Sequence, residues 1–246
     1  MSLFTKEQIF LVTGASSGIG QGVALKLNQE GATVVAIARR ADKLEETKAQ
    51  AAATENFFCE VKDLAEDIAD LPKYMKSLKD KYGKLSGLAY CAGVAKISPL
   101  QCLDYEGLKK MYDINTFAPI MMLKGFADRR VNAGKGSACV LFASIAAHIS
   151  TRGQIEYAGA KAALTAAAKS VAREVAPSGV RVNVISPSDI STPMTHRDPD
   201  YLKNKANMYP LGVGEVADAA ELAVFLLSQK SKWITAQDYV LDCGAY

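Results

Sequence analysis

Seven short apolar runs punctuate this chain, and most are separated by a longer segment with helical spacing. The runs cover residues 9–13, 33–38, 56–61, 87–91, 137–143, 180–185 and 239–241. The helical segments between them cover 21–30, 42–53, 72–82, 105–128, 157–176 and 215–228. Strands that alternate with helices cannot pair as hairpins. They build βαβ units, hence a parallel sheet that needs helices on both faces to bury it. Right-handed crossovers make such a sheet doubly wound. The expected fold is therefore α/β, with about seven strands. No linker, repeat or low-complexity tract interrupts the pattern, so one domain is expected over 1–246.

Composition narrows the function classes. Hydrophobic residues are 49% and charged residues 22% of the chain, which excludes a disordered chain, a coiled coil and a collagen-like repeat. The formal charge of +3, from 29 basic and 26 acidic residues, gives no electrostatic case for nucleic acid or an anionic membrane. The five cysteines are odd in number and none has CxxC spacing, so neither a disulfide framework nor a zinc site is expected. No apolar run has membrane-spanning length, and residues 1–8 lack the basic-then-apolar order of a signal peptide. The expected location is the cytoplasm.

Between the first strand and first helix stands Thr13-Gly14-Ala15-Ser16-Ser17-Gly18-Ile19-Gly20. Glycines there let the backbone turn sharply and approach a ligand. The helix that follows offers free N–H groups and the positive end of its dipole, so a pyrophosphate is the natural occupant. The strand–turn–helix setting is that of a Rossmann dinucleotide site. The same residues also match GxSxG, the nucleophile elbow of hydrolases. That elbow needs a later acid and His, and the two histidines, His148 and His196, have no distinctive setting. The second strand ends Ala38-Arg39-Arg40. An acid near this place holds the ribose 2′-hydroxyl of NAD, whereas a guanidinium pairs with the 2′-phosphate of NADP. NADP(H) is therefore expected over NAD(H), mainly on Arg39.

Ser144 closes the fifth strand segment, Tyr157 follows thirteen positions later and Lys161 four after that. On a helix the last two share a face. A tyrosine ordinarily titrates at about 10, and a neighbouring ammonium favours its phenolate. With Ser144 holding the substrate oxygen, the three could move a proton while a nicotinamide moves a hydride.

In these motifs the chain resembles the short-chain dehydrogenase/reductases over nearly its full length, and among them the 3-oxoacyl-carrier-protein reductase-like members. The family's TGxxxGxG matches Thr13 to Gly20, and its Ser, Tyr and Lys match Ser144, Tyr157 and Lys161. Its active-site Asn matches Asn115. The resemblance implies that Asn115 holds a water linking Lys161 to solvent, that Tyr157 is the general acid or base, and that Lys161 also binds the nicotinamide ribose. Cofactor contacts are then expected at Gly14, Ser16, Ser17, Gly18, Ile19, Gly20, Arg39 and Arg40. Further contacts are expected at Glu60, Val61, Cys91, Ala92, Gly93, Pro187, Ser188, Ile190 and Thr192.

Several positions depart from the family pattern. NNAG is Tyr90-Cys91-Ala92-Gly93, the adenine-contacting Asp is Glu60, Pro-Gly is Pro187-Ser188, and the late Gly-Gly is Cys243-Gly244. Substrate-wall candidates are Ala95, Ile97, His148, Ile149, Gln154, Asp189, Met194, His196 and Tyr209, with a short lid over 193–210. The resemblance implies a small carbonyl or alcohol substrate, a carrier-bound acyl chain being one option, for which Arg129, Arg130 and Lys135 could offer a basic face. It also implies a homotetramer formed through the Ala-rich helix of Tyr157 and the long helix before it. A second class stays open: a dinucleotide-binding regulator with weak catalysis, suggested by the lost asparagines at 90 and 91.

Overall fold

The computed structural model describes residues 2–195, 200 and 205–246. Seven strands form it: β1 (Ile9–Thr13), β2 (Thr33–Ala38), β3 (Phe57–Val61), β4 (Leu85–Tyr90), β5 (Ala138–Phe142), β6 (Arg181–Pro187) and β7 (Asp238–Leu241). All enter one parallel sheet in the order β3-β2-β1-β4-β5-β6-β7. Among the described residues the α-helices are α1 (Gly18–Gln29), α2 (Ala41–Lys48), α3 (Leu71–Tyr82), α4 (Tyr105–Tyr112), α5 (Ala118–Ala127), α6 (Ile155–Val175) and α7 (Val216–Leu227).

Strands covered on both faces read as continuous apolar runs, and β1 and β2 are buried at every residue. Their side chains still divide by the two-residue period of a strand. Leu11, Val35, Ile37, Leu88 and Leu141 join α3, α5 and α6 in one core. Phe10, Val12, Val34, Ala36 and Val140 join α1, α2 and α7 in the other. A sheet packed on both sides leaves its carboxyl edge as the place for a ligand. The chain order reverses between β1 and β4, the crevice where doubly wound sheets bind. Thr13 stitches that crevice, its hydroxyl accepting from the Cys91 and Ala92 N–H groups at 3.0 and 3.1 Å.

The helical spacing over 105–128 predicts one long helix. The structure divides it, because a π-turn over Asp113–Phe117 separates α4 from α5. Such turns widen the helix by one residue and re-aim side chains. Tertiary bonds hold this one: Thr116 donates to the Ala160 carbonyl of α6 at 2.8 Å, and Asn115 bonds to the loop after β4. No helix among the described residues is long and apolar enough to cross a membrane.

Candidate active site

One cleft at the carboxyl edge gathers Ile19, Cys91, Gly93, Asn115, Ser144, Tyr157, Lys161, Pro187, Ser188, Ile190 and Thr192. Residues separated by most of the chain meet there because most sit at a strand end or near the head of a helix, with Asn115 brought in by the π-turn. A wider open groove of about 750 Å³ runs beside β3, lined by Lys6, Lys48, Phe58, Lys81 and Tyr82 among others. None of the proton-transfer candidates lies in it.

Glycines shape the cleft floor. Gly14 takes φ 66°, and a Cβ there would stand 2.9 Å from the Ala92 nitrogen. A Cβ on Gly93 would stand 2.7 Å from Asn115 Oδ1 and 3.4 Å from Lys161 Nζ. At the head of α1, Ser17 occupies the N-cap position but caps no helix N–H with its side chain. Its hydroxyl, like that of Ser16, accepts from Arg40, at 3.2 and 3.1 Å. Arg39 reaches the other way, to Asp63 at 3.4 Å, with its side chain 69% exposed.

Three of the four proton-transfer candidates, Asn115, Ser144 and Lys161, are buried and bonded to backbone, while Tyr157 is half-buried. Asn115 is fully buried; its amide donates to the Val94 carbonyl at 2.9 Å and the Met111 carbonyl at 3.1 Å, and its oxygen accepts from Val94 N–H at 3.3 Å. Lys161 donates to the Phe142 carbonyl at 2.7 Å and lies 5.9 Å from the Tyr157 ring centroid. Burial pulls its ammonium from an ordinary 10.5 to about 8. Desolvation pushes the half-buried Cys91 thiol well up, so it stays protonated. Ser144 stands two residues beyond β5, where its oxygen accepts from Ala146 N–H at 3.2 Å and keeps its own proton to donate.

A family model described as Enoyl-(Acyl carrier protein) reductase matches residues 14–246. The chain belongs to the short-chain dehydrogenase/reductase family. The 3-oxoacyl-[acyl-carrier-protein] reductase of Staphylococcus epidermidis is 31% identical over 243 residues, covering 96% of this chain and 98% of that one. The 2,5-dichloro-2,5-cyclohexadiene-1,4-diol dehydrogenase of Sphingobium indicum is 30% identical over 239 residues, covering 96% and 95%. A solved short chain dehydrogenase from Burkholderia cenocepacia, in complex with NADP, superposes with a TM-score of 0.88 at 24% identity, covering 98% of each chain. This dehydrogenase/reductase is thus an oxidoreductase acting on a CH–OH or C=O group.

Its departures from the family pattern acquire partners. Tyr90, fully buried where the family carries Asn, donates to the Ile114 carbonyl at 2.9 Å and so braces the π-turn from β4. Glu60 is engaged by Lys81 at 2.7 Å and by the Tyr82 hydroxyl at 2.6 Å. Among the expected wall residues, Met194 lines the cleft. His148 sits 2.9 Å from the buried Asp238 carboxylate on β7, and Asp189 takes the Tyr209 hydroxyl and, at 2.9 Å, the Lys205 ammonium. His196 lies outside the described residues. Sequence reasoning missed Thr13, Val94 and the Phe142 carbonyl. The last two act through backbone, which leaves no mark in residue type.

Proposed function

We propose that this enzyme uses NADP(H) to reduce a carbonyl group, or to oxidise the matching secondary alcohol, with Tyr157 as general acid or base. One observation carries the reading: Asn115, Ser144, Tyr157 and Lys161 share a cleft with strand-end segments expected to touch a dinucleotide. The cradle fits such a cofactor. Cβ atoms at Gly14 and Gly93 would crowd it, the α1 N-terminus has no side-chain cap, and Arg39 and Arg40 stand beside the turn in place of an acid. Gly14, Ser16, Ser17, Gly18 and Gly20 would hold its phosphates, and Cys91 to Gly93, Pro187, Ser188, Ile190 and Thr192 its nicotinamide half. When bound, the nicotinamide exchanges a hydride with the substrate carbon. The Burkholderia cenocepacia protein with NADP supports the choice of nucleotide.

The side chains do the rest. Ser144 donates its hydroxyl proton to the substrate oxygen and so orients it. In reduction the Tyr157 hydroxyl gives its proton to that oxygen as charge develops there; in oxidation its phenolate takes one. The Lys161 ammonium favours the phenolate, and the Phe142 carbonyl fixes its position. A value of about 8 leaves Lys161 mostly charged at neutral pH. Asn115 borders the same ammonium across Gly93, the place for a water that returns the proton to solvent.

The regulator reading rested on the lost asparagines. Tyr90 supplies a bond from β4 to the π-turn, which favours a working catalytic end over a decayed one. Exposed Tyr105 and Phe117, on α4 and the π-turn, support the expected homotetramer, and five free cysteines support a reducing cytoplasm. Arg129 and Arg130 are engaged with Ser178 and Asp128, which weakens the case for a carrier-docking face.

The test is titration with NADPH and NADH by nicotinamide fluorescence, followed by a carbonyl screen. Tyr157→Phe should lower turnover by about a thousandfold with NADPH affinity nearly unchanged. NADPH binding without turnover of any carbonyl, or a Phe variant equal to wild type, would overturn the reading.

A further inference from the structure

Part of the cleft belongs to neither the proton machinery nor the cofactor segments. Val94 and Met194 line it, and they are 38% and 41% exposed. Ile97, 68% exposed, packs its Cγ2 against Gly153, at 2.7 Å from where a Cβ would stand. Gly153 precedes Tyr157 by four residues. Val94 and Ile97 are displayed on a fastened backbone. At one end Val94 bonds to Asn115 through both its N–H and carbonyl. At the other, Ser98 N–H donates to the Gly153 carbonyl at 2.8 Å, and its hydroxyl donates to Glu156 at 3.1 Å. Ser98 and Glu156 are each 2% exposed. A preformed apolar wall in water marks a binding surface.

Several polar side chains described on this side are engaged within the protein. Thr195, another cleft residue, donates to the Ile190 and Thr192 carbonyls and accepts from Thr192 N–H. Asp189 is engaged by Lys205 and Tyr209, Glu156 by Ser98, and His148 by Asp238. A polyhydroxylated body lying on this wall would lose its water and find these groups already engaged, which disfavours it.

We infer that the carbonyl compound has an apolar body, aliphatic or alicyclic, lying on Val94, Ile97 and Met194, an assignment that rests on the reductase reading above. The test is kcat/KM for reduction of 2-alkanones from 2-butanone to 2-octanone, beside erythrulose as a polyhydroxylated ketone. The values should rise by about fourfold for each methylene that the wall covers. Erythrulose should be no faster than 2-butanone. Ile97→Asn and Met194→Asn, checked for native circular dichroism, should each cut the octanone-to-butanone ratio at least tenfold. A flat alkanone series, faster erythrulose, or an unchanged ratio in both variants would overturn the inference and leave the reductase reading standing. NADPH binding with no turnover in either series would overturn both.

Discussion

The two ends of the cleft are built by opposite means. At the β1–α1 turn the backbone presents the binding groups: Gly14 is left-handed, the helix head lacks a side-chain cap, and Arg40 lies exposed across two serine hydroxyls. At the catalytic end the groups are side chains, and three of the four are buried: Asn115, Lys161 and Ser144 are 0%, 5% and 9% exposed, with Tyr157 half-buried beside them. The chemistry explains the difference. A phosphate brings its own charge and needs only pre-aimed donors. Proton transfer needs groups whose protonation is tuned, and burial is what tunes them. The phosphate end should therefore tolerate side-chain change better than the catalytic end.

Gly93 offers the sharpest way to break that contrast, since it joins the two ends. One added methyl would meet Asn115 Oδ1 and Lys161 Nζ, neither of which has room to retreat. Gly93→Ala should lower kcat by about a hundredfold, the scale of a displacement near 1 Å in a reacting group. NADPH affinity should fall by much less. Single-turnover kinetics with a saturating cofactor separates the two. A wild-type kcat in Gly93→Ala would show that the catalytic end is not closely set.

Lys161 gives the next largest effect, read as stability in the absence of cofactor. Its folded value of about 8 lies below the unfolded 10.5. Between those values the unfolded chain binds more protons, so stability rises with pH across the window. Below 8 the cost of burying the charge is present in full. Lys161→Met removes that cost and also removes the bond to Phe142, a loss that does not vary with pH. The variant's stability relative to wild type should therefore be more favourable at pH 7 than at pH 10, by about 2 kcal/mol. Urea unfolding at both pH values measures it, and an equal difference at the two would show that the ammonium is not desolvated.

The same contrast decides what could be read from sequence. The phosphate turn is eight consecutive residues between a strand and a helix, so local rules find it. Tyr157 and Lys161 are one helical turn apart, and local rules find them too. The brace around them is not local. The π-turn keeps helical apolar spacing, so 105–128 reads as one helix; its cause lies in Val94 and Ala160, distant in sequence. Phe142 acts through a carbonyl that any residue could supply. Asp189 reads as a substrate contact until Lys205 and Tyr209, 16 and 20 residues onward, are folded against it.

The smallest effect concerns the two arginines after β2. Both flank the same turn, yet they differ in what they already hold. Arg40 has two hydroxyl partners in the phosphate turn, so its loss disturbs the shape of the turn as well as its charge. Arg39 has one long contact to Asp63 and is mostly solvated, so little must be given up for it to swing onto a 2′-phosphate. Arg39→Ala should then weaken NADPH by about tenfold, the scale of one charge-assisted bond at an exposed site, with NADH changed less than twofold. Arg40→Ala should weaken both nucleotides by a few fold, because the pyrophosphate turn serves both. The Arg39 effect should shrink in high salt, since exposed charges are screened. Fluorescence titrations of both variants with both nucleotides at two salt concentrations read all of this. If NADPH discrimination were lost in Arg40→Ala and kept in Arg39→Ala, the 2′-phosphate would sit on the serine side of the turn. If wild type bound NADH more tightly, neither arginine would be a ligand of the 2′-phosphate.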